Sequence, residues 1–283
     1  MRLTILLLLL SLSSFVEAQV SRIFNSSVKI PNTNLGFSYL VGNAKTGWVF
    51  TGISGAEEDA ITSVASVAGT SNALTNNAGG LTPRLGFTQI ETSIYSGLNA
   101  NTESGTSPKE AMISINQPDI YFQSDFEVLI TFRLEDGQSS SQYLMGVANG
   151  GTQRFDIAVN PSGDIVFRIG AGAAISTFTA TGNALSNNYT GVVYLRSRFD
   201  FTNDEMSVFL NGVPLTVSLT SGSAFSTINP ANFNFNIIKL GVGGSWDGAF
   251  AADASHKFIH KLFITPLMSS SNALYVANYM IQL

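Results

Sequence analysis

Between residues 191 and 212 apolar and polar positions alternate with a period of two. Val193, Leu195, Ser197 and Phe199 fall on one side of the run, and Val192, Tyr194, Arg196 and Arg198 on the other. After a short polar loop, Met206, Val208 and Leu210 alternate with Ser207 and Phe209, and Asn211-Gly212 follows where a tight turn is needed. Alternation closed by Asn-Gly is the strongest short-range hairpin signal, so two antiparallel strands are predicted here.

The same period recurs from Ala111 onward. Ala111–Ile115 and Asp119–Phe122 read as strands, and in Phe126–Leu134 the residues Phe126, Val128, Ile130, Phe132 and Leu134 share one face opposite Glu127, Leu129, Thr131 and Arg133. Beyond a loop at Asp136–Ser141 come Tyr143–Ala148 and then Arg154–Asn160, where Phe155, Ile157 and Val159 face one way. Pro161-Ser162-Gly163-Asp164 has the composition of a turn, and Ile165, Phe167 and Ile169 again share a face. Val213–Leu219, Asn234–Gly243 and Lys257–Pro266 complete the series. Strands at this spacing, divided by turn signals, predict an all-β, antiparallel β-sandwich rather than alternating βαβ units.

The chain before residue 109 is less periodic. Ser38–Leu40 and Gly47–Ile53 read as short strands, with Trp48 in the core. Ala56–Ala78 begins with Glu57, Glu58 and Asp59, which favour a helix start, but its β-branched residues weaken that reading. Residues 96–110 look like an exposed loop. The segment 19–108 is therefore either an N-terminal extension or, as we favour, the opening strands of the same sandwich.

Composition agrees with many short strands. Only 12% of the 283 residues are charged, the net charge is −5, and no Lys/Arg run offers a footprint for nucleic acid or an anionic membrane. Arg2, the apolar run Leu3–Leu12 and the small-residue site Val16-Glu17-Ala18 before Gln19 make residues 1–18 a secretory signal peptide. About ten apolar residues are too few to span a bilayer, and no second apolar run of spanning length follows. The expected product is a secreted, extracellular protein. It contains no cysteine, which removes thiol catalysis and thiolate metal sites. Sequons mark Asn25 and Asn188 for glycosylation in a eukaryotic host.

A long strand ending in Asp200, a following strand closing on Asn211-Gly212, the aliphatic-Lys-Leu-Gly run Ile238–Gly241, a glycine-rich loop and the strand Lys257–Thr265 together resemble laminin-G-like and concanavalin A-like sandwiches. The resemblance covers roughly residues 110–283. It implies a jelly-roll sandwich over 109–283 that finishes in a short C-terminal helix near Ser271–Met280. The tryptophan that often begins the strand equivalent to 191–199 is replaced here by Val192 and Tyr194. Domains of this type often bind calcium at the sandwich rim through aspartates, which makes loop-edge Asp136, Asp200 and Asp247 the metal candidates.

Catalytic patterns are sparse. Glycosidase chemistry needs two carboxyls about 5–9 Å apart, hence a row at i, i+2 on one strand face. Glu57-Glu58-Asp59 lies outside the strong strands, Glu135-Asp136 are adjacent, and Asp204-Glu205 sit in a hairpin loop. His256 and His260 would stand about 13 Å apart along a strand, too far for one ion. The loop Gly243–Gly248 carries Trp246 and Asp247, an aromatic face and a carboxylate of the kind that hold a sugar ring. The favoured role is a non-catalytic recognition or adhesion module for glycans or extracellular protein surfaces, with calcium as the one cofactor suggested. A divergent glycoside hydrolase or polysaccharide lyase on the same fold, and a structural surface or virion-associated protein, stay open as alternatives.

Overall fold

The computed structural model describes residues 33–55, 61, 63–69, 73–76, 84–90, 93–99, 112–115, 121–134, 141–149, 153–171, 174–181, 185, 191–235, 237–240 and 257–283. The described residues open with helix α1 (Thr33–Asn43), followed by strands β1 (Thr46–Val49), β2 (Ser63–Val64), β3 (Ala68–Gly69), β4 (Leu74–Asn76), β5 (Arg84–Ile90), β6 (Ser93–Asn99) and β7 (Met112–Ile115). The long strands are β8 (Phe126–Leu134), β9 (Gln142–Asn149), β10 (Gln153–Val159), β11 (Ile165–Ala171), β12 (Ala174–Thr181), β13 (Val192–Asp200), β14 (Glu205–Leu210) and β15 (Val213–Ser221). Two 3₁₀ turns, η1 (Phe225–Thr227) and η2 (Pro230–Asn232), precede β16 (Ile237–Leu240), β17 (Lys257–Thr265) and helix α2 (Ser270–Ile281).

Every pairing among these strands is antiparallel, and they form two sheets. In the first, β3, β1, β17, β8, β13 and β14 lie side by side, with β6 and then β5 continuing from the other half of β17. In the second the order is β2, β4, β7, β16, β9, β10, β11 and β12. Strand β15 joins them: Val213–Leu215 pair with β14, and Thr216–Ser221 pair with β12. A strand that switches sheets closes one side of a sandwich without leaving an open edge. Strands β1 and β4, from the first hundred residues, pair with β17 and β7 of the later chain.

The faces fall as alternation dictates. Phe126, Val128, Ile130 and Phe132 of β8, Phe155 and Ile157 of β10, and Val193, Leu195 and Phe199 of β13 fill the space between the sheets. Phe126 stacks on Phe199 at 4.7 Å between ring centres, and Phe155 meets Phe199 edge-on at 5.1 Å. The turn after β14 has φ 49° at Asn211 and 83° at Gly212, two left-handed residues as a type I′ hairpin requires. Asn211 reinforces it, its Oδ1 accepting from the Tyr194 amide at 2.8 Å. Asn160 organises the Pro161–Asp164 turn, its Oδ1 accepting from the amides of Ser162 and Asp164, both at 2.9 Å.

Three sequence expectations are corrected. Ser38–Leu40 lies inside α1, because Gly36 and Leu40 are buried at helical spacing, Gly36 against α2 and Leu40, with Ala44 just past the helix end, in the cluster over the first sheet. Tyr121 and Phe122 form a 3₁₀ turn rather than a strand, and their rings enter the core from it. Ser96–Asn99, read as the start of a loop, close β6 instead, because Leu98 and Asn99 pair with β17. Trp48 is fully buried in the sandwich core.

The outer face of the first sheet is covered by the two helices. Leu129, Tyr194 and Phe263 from the sheet meet Leu40, Val276 and Met280 from the helices in a second, smaller core. At Gly36 a Cβ would come within 2.4 Å of the Tyr275 carbonyl oxygen, so glycine is what lets the helices cross so closely.

Candidate functional site

The helical layer is held to the sheet by polar bonds. Glu127 on β8 is fully buried and takes a bidentate grip from Arg196 on β13, Nε to Oε2 at 2.7 Å and Nη2 to Oε1 at 2.8 Å. Arg198, its direct cross-strand partner, approaches to 3.8 Å. Oε1 also accepts from the Met268 amide at 3.0 Å, which ties down the segment leading into α2. Burial opposes charge on Arg196, yet the Glu127 carboxylate holds its guanidinium above the usual value. Helix α2 begins on Ser269, whose Oγ accepts from the Asn272 amide at 3.3 Å.

Its last turn ends on side chains of the sheet. Thr131 donates to the Met280 carbonyl at 2.7 Å, and Lys261 donates to the carbonyls of Tyr279, at 2.7 Å, and Gln282. These are the carbonyls a helix C-terminus leaves unpaired, and the ammonium also suits the dipole. The Lys261 nitrogen stands 4.0 Å from the centre of the Tyr279 ring. Burial draws Lys261 down to about 8 and pushes the Tyr279 phenol up to about 12, so at neutral pH the phenol is a neutral donor.

Beside this anchor lies a cleft of about 460 Å³ between the helices and the first sheet's edge. Phe37 of α1 and Tyr279 of α2, 5.3 Å apart between ring centres, supply aromatic surface, while Val49, Ile53 and Val67 supply aliphatic surface. Thr51 stands at the rim beside Gly52, in the turn after β1. The described lining has no carboxylate, imidazole or thiol. It offers contact area and hydroxyls, the means of binding a ligand.

The sequence-predicted site residues are not brought together among the described residues. Asp200 ends β13 and is 1% exposed, and both its oxygens are engaged. Oδ1 accepts from the Asn203 amide at 3.0 Å, and Oδ2 accepts from Arg198 Nη2 at 2.8 Å. Burial works against its charge, but the bonds from Arg198 and Asn203 hold its carboxyl below the ordinary range. Asp200 thus shapes the hairpin loop. Trp246, Asp247, Asp136, Asn25, Asn188 and His256 lie outside the described residues. His260 is buried in a β-bulge of β17, between Ile259 and Lys261, with its carbonyl accepting from the Phe50 amide at 2.8 Å. No group of three or more His, Asp or Glu residues that could hold a metal occurs among the described residues. Phe37, Thr51 and Tyr279 were not candidates from sequence, although Gly36, Leu40 and Ala44 carried a helical signal that would have placed Phe37.

No protein-family model and no curated protein sequence matches the chain at a significant level. Solved structures do. A protein described as a receptor binding domain aligns with TM-score 0.59 and 10% identity over 87% of this chain and 53% of its own. The binding domain of botulinum neurotoxin DC in complex with SialylT aligns with TM-score 0.55 and 9% identity over 82% and 51%. A structure described by the dependence of botulinum neurotoxin type C cell entry on two ganglioside molecules aligns with TM-score 0.54 and 11% identity over 83% and 51%. The chain spans about half the length of these structures, and at this identity the likeness establishes the fold alone.

Proposed function

We propose that this chain is a secreted, non-catalytic recognition module on a laminin-G-like, concanavalin A-like sandwich, and that it binds glycans in the cleft between its helices and β1. The observation that carries this reading is the cleft itself: two aromatic side chains, three aliphatic ones and a threonine hydroxyl facing one space. Aromatic and aliphatic surface takes the C–H faces of sugar rings, and hydroxyls fix their orientation. The fold neighbours add support, one being a complex with SialylT and another concerning gangliosides.

Residues 1–18 act as the export signal in this reading, and residues 19–108 complete the sandwich, for which the pairings of β1 with β17 and β4 with β7 speak. A rim calcium would rest on Asp136 and Asp247, since the oxygens of Asp200 already serve Arg198 and Asn203.

The test is a glycan array probed with the exported chain and with Thr51→Trp, which fills the cleft from a half-buried loop position. The wild type is expected to bind a defined set of glycans that the variant binds at least about tenfold more weakly. Equal binding by both, or no glycan bound by the wild type, refutes the cleft as the site. Release of cleaved sugar would move the assignment to the hydrolase or lyase alternative.

A further inference from the structure

A second concavity of about 160 Å³ opens at the mouth of the sandwich, on elements remote in sequence from α1 and α2: β11, β12 and the chain from Ser223 to Phe233. Its chemistry differs from that of the cleft. The described lining holds no ionisable side chain and is built of hydroxyls and carboxamides around the half-buried Ile228, with the buried Ile169 and Phe233 beneath.

The unused hydrogen-bonding capacity of the rim can be stated group by group. Ser176, 4% exposed, accepts from the Ser223 amide at 2.9 Å through Oγ, which leaves its hydroxyl proton to donate. Thr227 donates to the Ala224 carbonyl at 2.7 Å, which leaves its lone pairs to accept. Asn229 accepts from the Ala231 amide at 3.0 Å while capping η2, which leaves its NH₂ group to donate. Among the described residues Asn232 has only a backbone hydrogen bond, its amide donating to the Asn229 carbonyl at 3.1 Å, so donor and acceptor of its side chain are both available. These groups are held by backbone rather than by one another. Gly222, at φ +89°, lies so close to β12 that a Cβ would sit 2.7 Å from the Ile175 carbonyl oxygen, and this fixes Ser223 over Ser176.

We propose that this groove is a binding site for a neutral polyhydroxylated ligand, a single saccharide ring, independent of the helical cleft. Alternating neutral donors and acceptors answer the hydroxyls of such a ring, and the Ile228 side chain answers its C–H face. Without an ionisable group the groove has nothing to offset the desolvation of a charged ligand. Its volume is below the roughly 300–1,000 Å³ of pockets for larger ligands, which suits one ring.

The experiment is saturation-transfer NMR at millimolar lactose, N-acetyllactosamine and maltotriose, with sialyllactose as the charged comparison. It uses the whole chain and three variants: Ser223→Phe to fill the groove, Asn232→Ala to remove one carboxamide, and Thr51→Trp in the cleft. Ser223 and Asn232 are exposed, so both groove variants are expected to fold. The expected result is transfer to at least one neutral sugar that Ser223→Phe abolishes, Asn232→Ala weakens about fivefold and Thr51→Trp leaves unchanged. No transfer to any neutral sugar overturns the proposal, as does transfer that survives Ser223→Phe or a preference for sialyllactose. Binding lost only with Thr51→Trp also overturns it while leaving the cleft reading intact.

Discussion

Between the two sheets, Phe126, Phe155, Phe199 and Phe167 meet ring to ring with aliphatic neighbours. Beneath the helices, a smaller apolar cluster shares the space with Glu127, Thr131 and Lys261, whose bonds run to backbone groups of α2 and the segment before it, and with Arg196, which grips Glu127. The first region is stabilised by area removed from water, which is non-directional and spread over many residues. The second adds a small number of directional bonds to a smaller apolar cluster, so any one of them has a larger local effect. The difference teaches where the molecule can yield. The sandwich is one cooperative body, while the helical layer that walls the cleft is the unit able to loosen first.

The comparison can be broken most severely from the inside. Phe199→Ala removes a ring that touches Phe126, Phe155 and Phe167, and is expected to cost about 3–5 kcal/mol in urea unfolding, with both layers lost together. A cost below about 1 kcal/mol would mean that the sheets do not interdigitate there. From the outside, Glu127→Gln keeps the shape but leaves Arg196 buried beside a neutral group, at an expected cost of about 3 kcal/mol. Its signature is local: amide exchange at Met268 and along α2 should quicken while β10 and β11 keep their protection. Uniform quickening across both sheets would contradict the division into two regions.

The smallest effect is a pH slope. Lys261 falls from 10.5 to about 8 in the fold, so between those values the unfolded chain binds more protons and unfolding free energy rises with pH. Lys45, also lowered by burial although Asp125 pulls it back, adds to the same slope. Tyr279, raised from 10.0 to about 12, contributes stability that is lost only as pH climbs from 10 toward 12. Lys261→Met should therefore flatten the rise between pH 8 and pH 10 by about 2 kcal/mol. An unchanged slope would show that the carbonyls of Tyr279 and Gln282 already hold the ammonium charged.

The same contrast explains what could be seen in the sequence. In β8, β10, β11 and the β13–β14 hairpin, every second residue reaches a single core, so period two was visible. Asn211-Gly212 marked its turn because few other residues adopt those angles. Glu127, Arg196 and Thr131 look like solvent-facing positions by the same logic, yet they are covered, because sequence alternation cannot show what packs on an outer face. Helix α1 hid for a related reason. Its residues include no charge, so nothing contrasts with the apolar positions, and only the spacing of Gly36, Leu40 and Ala44 betrays it. In β17 the bulge at His260 breaks the period, and Ile259 and Leu262 both turn inward. The cleft joins residues from positions 37 to 279, a juxtaposition created by the crossing of α1 on α2 together with the pairing of β1 with β17.

The most direct test of the cleft is chemical-shift mapping on the wild-type chain, titrated with a glycan selected on the array. The account predicts perturbations concentrated at Phe37, Val49, Thr51, Ile53, Val67 and Tyr279, saturating with the same dissociation constant at each. Perturbations that leave these six unmoved while the glycan binds elsewhere would contradict it.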